Sequence, residues 1–579
     1  MKKAATSLGP AVFLVFNLFA FAPTTIYQGN IDEFAIPLPS ILVLFVLPAL
    51  ALLLALILIA RLLPEKARQL FVSILFVMGL LVWLQGNFLV WKYGLFNGQG
   101  IDWSRNAWQG WADGALWAGL LVLACLFYKK VYRIAAWGSA VITAVLLLSL
   151  LITSLQRPET WATEEKSSRP LSPPEEVFEF SSQSNVIHFV LDGFQSDIFS
   201  EIIAEDFNHY STSLEGFTFF KEAMGSFPTT YMSVPAFLGA RIYKNNLPMR
   251  GFLNQVKRGK NLFNMLYDRG YETDIVADTL FAYRARYSHQ YQIIIPYGGT
   301  RQQNRRSNSA LMLDLVMFRH TPHFLKRYIY NNQTWLVQRL FGLKNKTLNL
   351  VYFSHAAFLD DMIEHLSVKT GQPVYKYIHL MTPHFPMVVN TDCGYAGKIP
   401  ATRANIKIQA KCALDHFIRF LDRLRSRGLY DSSLIILQSD HGLGQKIEMT
   451  NLESPGDGVN AINNISLSAI AGSAIALLAI KPSHNKDHFT ISKAQVSLTD
   501  IPATVSTLLK LDDTFDGRPV FEVDPDEVRE RRFYYHEWNA KDWKRDYFPR
   551  LDEFVVTGSV FDRNSWRLGF TYYPPRRSK

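Results

Sequence analysis

Five apolar segments occupy the first quarter of the chain, and they constrain its fold more than any other feature of the sequence. Each is near the length that a helix needs to cross about 30 Å of hydrocarbon. The fourth is the weakest, because Asp113 interrupts its apolar run. We therefore predict a multi-pass α-helical membrane domain with five transmembrane helices, in segments 8–21, 41–63, 70–91, 111–128 and 134–155.

The charges between these segments predict how the chain crosses the membrane. The loops expected on one side are basic, whereas the first loop on the other side carries Asp32 and Glu33. The basic residues are Lys2, Lys3, Arg61, Lys66, Arg68, Lys129, Lys130 and Arg133. The positive-inside rule then places the N-terminus in the cytoplasm and everything after Leu155 outside. Segment 8–21 could instead be a signal peptide cleaved near residues 20–22, which would leave the C-terminal part on the same side.

The composition limits the classes of partner and of metal site. A formal net charge of +10 could suggest nucleic acid, but Lys and Arg are spread along the chain without a basic tract or a nucleic-acid-binding motif. We therefore expect no nucleic-acid partner and favour anionic lipid head groups or phosphorylated glycans. None of the three cysteines forms C-x-x-C, which excludes a cysteine zinc site. Cys393 and Cys412 could close a loop if their region is exported.

After the apolar segments the sequence pattern changes twice. Residues 157–184 are rich in Pro, Ser and Glu, so we predict an extracytoplasmic linker after a transmembrane domain of residues 1–156. Helix-like and strand-like segments then alternate, which predicts an α/β catalytic domain over residues 185–522, with a mainly parallel sheet flanked by helices. Residues 523–579 are aromatic and are predicted to close this domain with strands. Segment 284–349 is basic and aromatic, and its pattern assigns it no role.

Polar residues follow three short apolar runs of the predicted sheet. Asp192, His384 and the pair Asp440-His441 each come shortly after a strand-like run, namely 186–191, 375–380 and the run that begins at Leu434. Such runs are typical of buried parallel strands, and ligands bind beyond the carboxyl ends of these strands. Carboxylates and imidazoles delivered to one edge predict a metal site.

A candidate nucleophile lies in segment 227–241, FPTTYMSVPAFLGAR. Thr230, Ser233 and Pro235 form T-x-x-S-x-P, and a serine followed by a proline two positions later predicts a helix start. A hydroxyl at a helix N-terminus faces the positive end of the helix dipole, where phosphate or sulfate binds. Threonine is a poor nucleophile alone, and the predicted metal site would activate it. Thr229 is the alternative nucleophile.

These segments together resemble the alkaline phosphatase superfamily in its sulfatase-like branch. The similarity is greatest to the membrane-bound phosphoethanolamine and phosphoglycerol transferases that include lipoteichoic acid synthase-like enzymes. It covers roughly residues 185–520, and the five-helix anchor matches as well. The motifs that carry it are NVIHFVLDGFQSDIF (185–199), TYMSVPAFLG (230–239), MTPHFP (381–386), SDHG (439–442) and VSLTDIPATV (496–505) followed by Asp516-Gly517-Arg518.

The resemblance implies roles for the residues at the predicted sheet edge. Asp192, Asp440 and His441, together with Thr230, would hold a divalent metal ion. Thr230 would also be the nucleophile that becomes phosphorylated, and His384 would contact the phosphoryl group or bind a second metal. Zinc or manganese suits this ligand set best, with magnesium and calcium as alternatives.

The sequence departs from the family patterns at two places. The transferases usually carry another histidine soon after the Asp-His pair, but none follows His441 until His484, which argues against a second metal. Sulfatases need C/S-x-P-x-R, and here Ser233 and Pro235 are in register but Phe237 occupies the arginine position. We therefore expect phosphoryl-type transfer rather than sulfate-ester hydrolysis.

The expected reaction is transfer of phosphoethanolamine or phosphoglycerol from a membrane phospholipid donor to a glycan or lipid acceptor, through a phospho-threonine intermediate. The resemblance implies a bacterial cytoplasmic (inner) membrane location, a periplasmic catalytic domain and a disulfide between Cys393 and Cys412. The alternatives are a membrane-anchored phosphodiesterase or sulfuric ester hydrolase, and an inactive sulfatase-like scaffold or sensor. Structural interpretations suit several other polar residues: we expect His188 in the core, Asp197 and Asp500 as helix caps, and Asp360-Asp361 on a solvated face.

Overall fold

The computed structural model describes residues 2–31, 34, 36–91, 93, 101, 103–161, 173–278, 288–293, 297, 301–331, 334–340, 351–451, 465–537 and 545–575. Its helices are, in chain order, α1 (Lys2–Phe16), α2 (Ala22–Gly29), α3 (Leu38–Leu62), α4 (Glu65–Asn87), α5 (Ala107–Leu126), α6 (Tyr128–Gln156), α7 (Ser196–Glu205), α8 (Phe207–Ser213), α9 (Thr230–Gly239), α10 (Met249–Arg258), α11 (Leu262–Asp268), α12 (Arg301–His320), α13 (His323–Ile329), α14 (Leu336–Leu340), α15 (Val351–His365), α16 (Arg403–Ser426), α17 (Leu467–Ala474) and α18 (Ile501–Leu508). Its strands are β1 (Glu179–Ser181), β2 (Asn185–Leu191), β3 (Thr218–Phe220), β4 (Glu272–Ala277), β5 (His289–Gln292), β6 (Tyr330–Asn331), β7 (Thr334–Trp335), β8 (Ser367–Lys369), β9 (Val374–Leu380), β10 (Ser433–Gln438), β11 (Leu478–Lys481), β12 (Thr490–Ser492), β13 (Glu530–Tyr535), β14 (Leu551–Thr557) and β15 (Trp566–Tyr572).

The chain forms two compact units. The first comprises Met1–Leu171 and Gly299–Lys346, and the second comprises Ser172–Gly298 and Thr347–Lys579. The domain boundaries expected from the sequence stay predictions. Of the expected linker, residues 162–172 lie outside the described residues.

The first unit contains five spans that are long and apolar enough to cross a membrane, which confirms the five predicted helices. These spans are Leu8–Gly29, Leu38–Leu62, Glu65–Asn87, Ala107–Leu126 and Tyr128–Gln156. A π-helical stretch, Asn17–Phe21, joins α1 to α2, so that both belong to the first span. The fourth span, α5, is among the least apolar of the five, as its interruption by Asp113 leads us to expect.

Segment Gly299–Lys346 also belongs to the first unit. Its helix α12 packs on α2, α3 and α4, and its helix α13 packs on α5. Met312 and Val316 of α12 are buried in an apolar cluster with Ile26 and Phe45 of the first two spans. From the sequence, most of this segment was predicted to belong to the catalytic domain, and no role was assigned to it. An amphipathic pattern predicts that one face of a helix is buried, but it does not identify the surface on which that face packs.

The second unit is built on a sheet whose described strands follow the order β12-β3-β11-β10-β2-β9-β4-β5. From β10 to β5 all neighbours are parallel, whereas β11 is antiparallel to β10 and to β3. Helices cover both faces: Ile187 and Phe189 of β2 pack in a cluster with Phe417 of α16, and Val186 packs in a second cluster with Phe237 of α9. The mainly parallel sheet flanked by helices is thereby confirmed.

His188 of β2 lies in the core, as expected from its position in an apolar strand. Its Nδ1 is 3.0 Å from the Tyr375 hydroxyl and its Nε2 is 2.9 Å from Gln438 Oε1. Burial lowers the pKa of His188 to about 4, so the ring is neutral. Asp500 caps the turn before α18, because its Oδ2 accepts the N–H of Ser497 at 2.8 Å.

A disulfide joins Cys393, in the loop after β9, to Cys412 of α16. It matches the pairing that the family resemblance implies. Cys125 of α5 is a free thiol.

Candidate active site

The carboxyl ends of β2, β9 and β10 lie side by side at one edge of the main sheet. Leu191 of β2 is opposite Leu380 of β9, and the next residue, Asp192, donates its N–H to the Leu380 carbonyl at 3.0 Å. Asp440 and His441 follow β10, which is the other parallel neighbour of β2. The topology therefore brings polar residues that are far apart in the sequence to one place.

Helix α9 presents Thr230 to this edge as its first residue. The sequence pattern predicts a start at Ser233, but this start is wrong, because the Thr229 carbonyl already accepts the N–H of Ser233 at 2.9 Å in the first helical turn. Ser233 Oγ donates to the Asp440 carbonyl at 2.5 Å, which ties α9 to the segment after β10. Pro235 lies inside the helix.

Four of the predicted site residues meet at short distances. Thr230 Oγ1 donates to Asp192 Oδ2 at 3.1 Å and lies 3.4 Å from His441 Nε2. His441 Nε2 lies 3.3 Å from Asp440 Oδ2 and 4.0 Å from Asp192 Oδ1. Both carboxylates are fully buried, and Thr230 is partly exposed. A reacting group can therefore reach the hydroxyl from solvent, while the carboxylates stay away from bulk water.

The two carboxylates are only partly satisfied by hydrogen bonds. Asp440 Oδ1 accepts the N–H groups of Gly193 and His441 at 3.2 and 3.0 Å. In the described part of the chain, Asp192 Oδ1 and Asp440 Oδ2 have no hydrogen-bond donor. Buried carboxylate oxygens are costly unless a cation or a donor compensates them. The donor set therefore fits a divalent cation, and the ligand roles of these residues stay predictions.

Two histidines are oriented by backbone carbonyls so that their Nε2 atoms face the carboxylates. His441 Nδ1 lies 3.0 Å from the Gly442 carbonyl, and His384 Nδ1 lies 3.0 Å from the Phe385 carbonyl. A carbonyl oxygen can only accept, so each Nδ1 carries the proton. His384 Nε2 is then directed to Asp192 Oδ1, at 3.9 Å. Metal-binding histidines usually have their second nitrogen held in this way.

His379, the next-to-last residue of β9, also lies at the site, although it was not among the residues predicted from the sequence. Its Nε2 lies 3.2 Å from Asp192 Oδ2, and ligand atoms of His379, Asp192 and Asp440 all lie within 4.8 Å of one another. Burial would lower the pKa of His379, but these two carboxylates raise it. Burial would likewise raise the pKa of Asp192, but His384, His379 and His441 together hold it well below its ordinary value. A histidine near the carboxyl end of a parallel strand is the signal that could have identified His379.

Thr229 and Thr230, the two candidate nucleophiles, have different surroundings. Thr229 Oγ1 is buried against His536 Nε2 at 3.1 Å, whereas Thr230 Oγ1 contacts Asp192. His536 stacks on Phe548 with ring centroids 3.9 Å apart. Burial lowers the pKa of His536 to about 3, so its imidazole is neutral. No sequence pattern connects His536, in the C-terminal segment, with this site.

Several solved structures are similar to parts of this chain at low sequence identity. They include a protein of the alkaline phosphatase superfamily from Vibrio parahaemolyticus (13% identity, 66% of this chain and 78% of that chain, TM-score 0.38). The C-terminal periplasmic domain of EcEptC from Escherichia coli is similar at 14% identity, over 67% of this chain and 96% of that chain (TM-score 0.36). The lipoteichoic acid synthase LtaP from Listeria monocytogenes is similar at 11% identity, over 65% and 85% of the two chains (TM-score 0.36).

Among curated protein sequences, none matches the chain significantly. The Sulfatase family model matches residues 184–511, which include the sheet edge and every site residue described above except His536. Because this match covers more than half of the chain, the protein belongs to the sulfatase family of enzymes.

Proposed function

We propose that this enzyme transfers a phospho-alcohol head group, phosphoethanolamine or phosphoglycerol, from a phospholipid to a hydroxyl of a glycan or lipid. The observation that carries the proposal is the Thr230 hydroxyl, which lies at the first residue of α9 and 3.1 Å from Asp192. The amino end of a helix favours the negative charge of a phosphoryl group. Threonine also fits a phosphorylated intermediate, whereas sulfatases use a modified cysteine or serine.

A divalent cation would be held by Asp192, Thr230, Asp440 and His441. When bound, it stabilises the negative charge that develops on the phosphoryl group and favours the deprotonated threonine. The unsatisfied oxygens of the two carboxylates and the orientation of His441 support this assignment. Carboxylate, imidazole and hydroxyl donors suit zinc or manganese, with magnesium and calcium as the alternatives.

The reaction has two displacements at phosphorus. In the first, Thr230 Oγ1 loses its proton and bonds to phosphorus, while the bond from phosphorus to the diacylglycerol oxygen breaks and that oxygen gains a proton. In the second, the acceptor hydroxyl loses its proton and its oxygen displaces Thr230 Oγ1, which is protonated again. His384 is suited to carry these protons, because its Nε2 faces Asp192 and its side chain is 23% exposed to solvent.

The membrane spans support a lipid donor, because they hold the protein in the bilayer that contains the phospholipid. The predicted topology, with the N-terminus in the cytoplasm, puts the catalytic unit outside the cytoplasmic membrane, where the disulfide is stable. Glycan or lipid hydroxyls of the cell envelope are then the available acceptors. The donor head group is phosphoethanolamine or phosphoglycerol, and the experiment below distinguishes them.

Hydrolysis of a sulfate ester is the less favoured function. Ser233, in the register of the sulfatase nucleophile, is buried and donates to the Asp440 carbonyl. Phe237, in the register of the sulfatase arginine, packs in the apolar core between the sheet and α9. Neither side chain is available for the chemistry that sulfatases perform at these positions.

Intact mass spectrometry tests the proposal directly. The full-length protein, in nanodiscs with phosphatidylethanolamine and phosphatidylglycerol and with zinc or manganese added, should gain the mass of one head-group phosphoryl unit. That mass identifies the donor. Thr230→Ala should lose the adduct and Thr229→Val should keep it. An adduct that persists in Thr230→Ala would refute the assigned nucleophile, and absence of both bound metal and adduct would favour an inactive scaffold.

A second assay separates transfer from hydrolysis. Release of diacylglycerol is measured with and without methyl glucoside as a soluble hydroxyl acceptor. A transferase should require the acceptor and form glycosylated head-group product. Equal release without acceptor would indicate a phosphodiesterase, and turnover of an aryl sulfate would indicate a sulfatase.

A further inference from the structure

The short helix α13 has an inverted pattern of burial. His323 and Lys326 are buried, with exposed fractions of 9% and 2%, whereas Phe324, Leu325 and Tyr328 are 49%, 39% and 60% exposed. A helix on a water-facing surface places its polar residues outward and its apolar residues inward. Apart from the buried Ile329 and the exposed Arg327, α13 shows the opposite arrangement, which suits a helix whose outer surroundings are apolar.

Glycines in two membrane spans accommodate the segment that carries α13. A Cβ atom on Gly86 of α4 would lie 2.1 Å from the ring of His320, at the end of α12. A Cβ atom on Gly110 of α5 would lie 2.7 Å from Cδ2 of His323, at the start of α13. Each imidazole therefore occupies space that a side chain on the facing glycine would fill. This close fit shows that the segment packs specifically on the helical bundle.

The buried polar groups of α13 are satisfied inside the first unit. Asp113 Oδ2 of α5 accepts the N–H of His323 at 3.0 Å, and Asp113 Oδ1 accepts the indole N–H of Trp91 at 2.8 Å. Lys326 Nζ donates to the carbonyl of Phe318 near the end of α12. Satisfied polar groups can be buried at low cost, which lets α13 turn its polar side inward and its apolar side outward.

The membrane span on which α13 packs also exposes large aromatic side chains. Trp108 and Trp111, in the first turns of α5 on which α13 packs, are 65% and 82% exposed. On α13, Arg327 donates to the Tyr328 hydroxyl at 2.9 Å and its guanidinium lies 4.9 Å from the ring centroid. Exposed tryptophan and tyrosine with a nearby arginine are typical of the boundary between acyl chains and head groups.

We propose that α13 lies in the interfacial layer of the bilayer, with its face formed by Phe324, Leu325 and Tyr328 in contact with phospholipid. Arg327 then reaches the head-group phosphates, and the apolar side chains lie among the upper acyl chains. Segment Gly299–Lys346, which interrupts the catalytic unit in the sequence, is thereby a second membrane attachment besides the five spans. This inference does not depend on the reaction that the enzyme catalyses.

Site-directed spin labelling of the full-length protein tests the proposal. In a Cys125→Ser background the remaining cysteines are the two in the disulfide. Spin labels are attached at Phe324→Cys and Tyr328→Cys, and the protein is placed in nanodiscs of phosphatidylethanolamine and phosphatidylglycerol. Leu148→Cys, at a 57% exposed position of α6, is the lipid-facing comparison. Val528→Cys, at a 68% exposed apolar position of the second unit, is the matched water-facing comparison.

The readout is the ratio of collision rates with oxygen, which concentrates in lipid, and with a water-soluble nickel chelate. The labels at 324 and 328 should show a ratio several-fold above that at 528 and below that at 148, which lies deeper in the bilayer. Ratios equal to that at 528 would show that the face is in water and overturn the proposal. Low collision rates with both reagents would show that another protein surface covers it, which also overturns the proposal.

Discussion

Asp113 in the membrane unit and the pair Asp192 and Asp440 in the catalytic unit are buried carboxylates with opposite surroundings. Both oxygens of Asp113 accept hydrogen bonds, with Gln85 at 3.1 Å and Trp91 at 2.8 Å among the donors. Asp192 and Asp440 each keep one oxygen without a hydrogen bond in the described structure. The same residue type therefore serves two purposes in one chain.

The difference separates a structural carboxylate from a reactive one. Among the described residues three donors converge on Asp113, and their hydrogen bonds offset the cost of burying it and help to hold α5 against α13. The unsatisfied oxygens of Asp192 and Asp440 face the same small region as Thr230 and His441, where burial is costly without a cation. Substitutions in the two places should therefore affect different measurements.

The largest expected effect is that of Thr230→Ala on turnover. Loss of the nucleophile should reduce diacylglycerol release from phospholipid at least about 10³-fold. Asp113→Asn, which changes the structural carboxylate, should keep release within about threefold of wild type. If both variants were folded and lost diacylglycerol release to a similar extent, the distinction between a structural Asp113 and a reactive site at Thr230 would be contradicted.

Metal binding should depend on Asp440 and not on Asp113. Asp440→Asn removes one charged donor and should weaken binding of zinc or manganese at least about 100-fold, measured by titration and by metal content after gel filtration. Added metal at about 100 times its dissociation constant should stabilise the wild type by about 2.7 kcal/mol, visible as a raised Tm. Asp113→Asn should keep this shift. If neither added metal nor a chelator changed the Tm of the wild type, the metal site would be refuted.

Stability should show the reverse dependence. Asp113→Ala leaves the indole N–H of Trp91 and the backbone N–H of His323 without an acceptor, which should lower the free energy of unfolding by about 2 kcal/mol. Denaturation of the full-length protein in detergent measures this change. The matched control is Asp422→Ala, whose side chain is 62% exposed and which should cost less than about 0.5 kcal/mol. If Asp113→Ala and Asp422→Ala lowered the free energy of unfolding equally, the buried hydrogen bonds of Asp113 would contribute nothing to stability.

The smallest expected effect is that of substituting His536, whose imidazole contacts Thr229, the residue next to the nucleophile. His536→Phe keeps an aromatic ring against Phe548 but loses the hydrogen bond to Thr229, so Thr230 should be less well positioned. We expect kcat to fall about 10-fold with KM unchanged. Thr229→Val should have a similar effect, and the double variant should be no worse than either single one. Additive losses, or a change in KM alone, would contradict a positioning role.

Local patterns were sufficient for much of the architecture. A run of apolar residues long enough to cross the bilayer is visible in the sequence itself, so the five spans were predictable. The main sheet was predictable as well, because apolar strands alternate with amphipathic helices. Carboxyl ends of parallel strands share one edge, which is why Asp192, Asp440 and His441 could be expected to meet.

Other features depend on contacts between distant parts of the chain. The spans, the sheet and most of the candidate site could be predicted, because each is encoded in periodicity or in a short motif. The start of α9 at Thr230, the position of His536 beside the site and the packing of α13 on α5 follow only from the three-dimensional arrangement of the chain. The physical reason is that these outcomes depend on which surfaces become neighbours, and a hydrogen bond across hundreds of residues has no local signature.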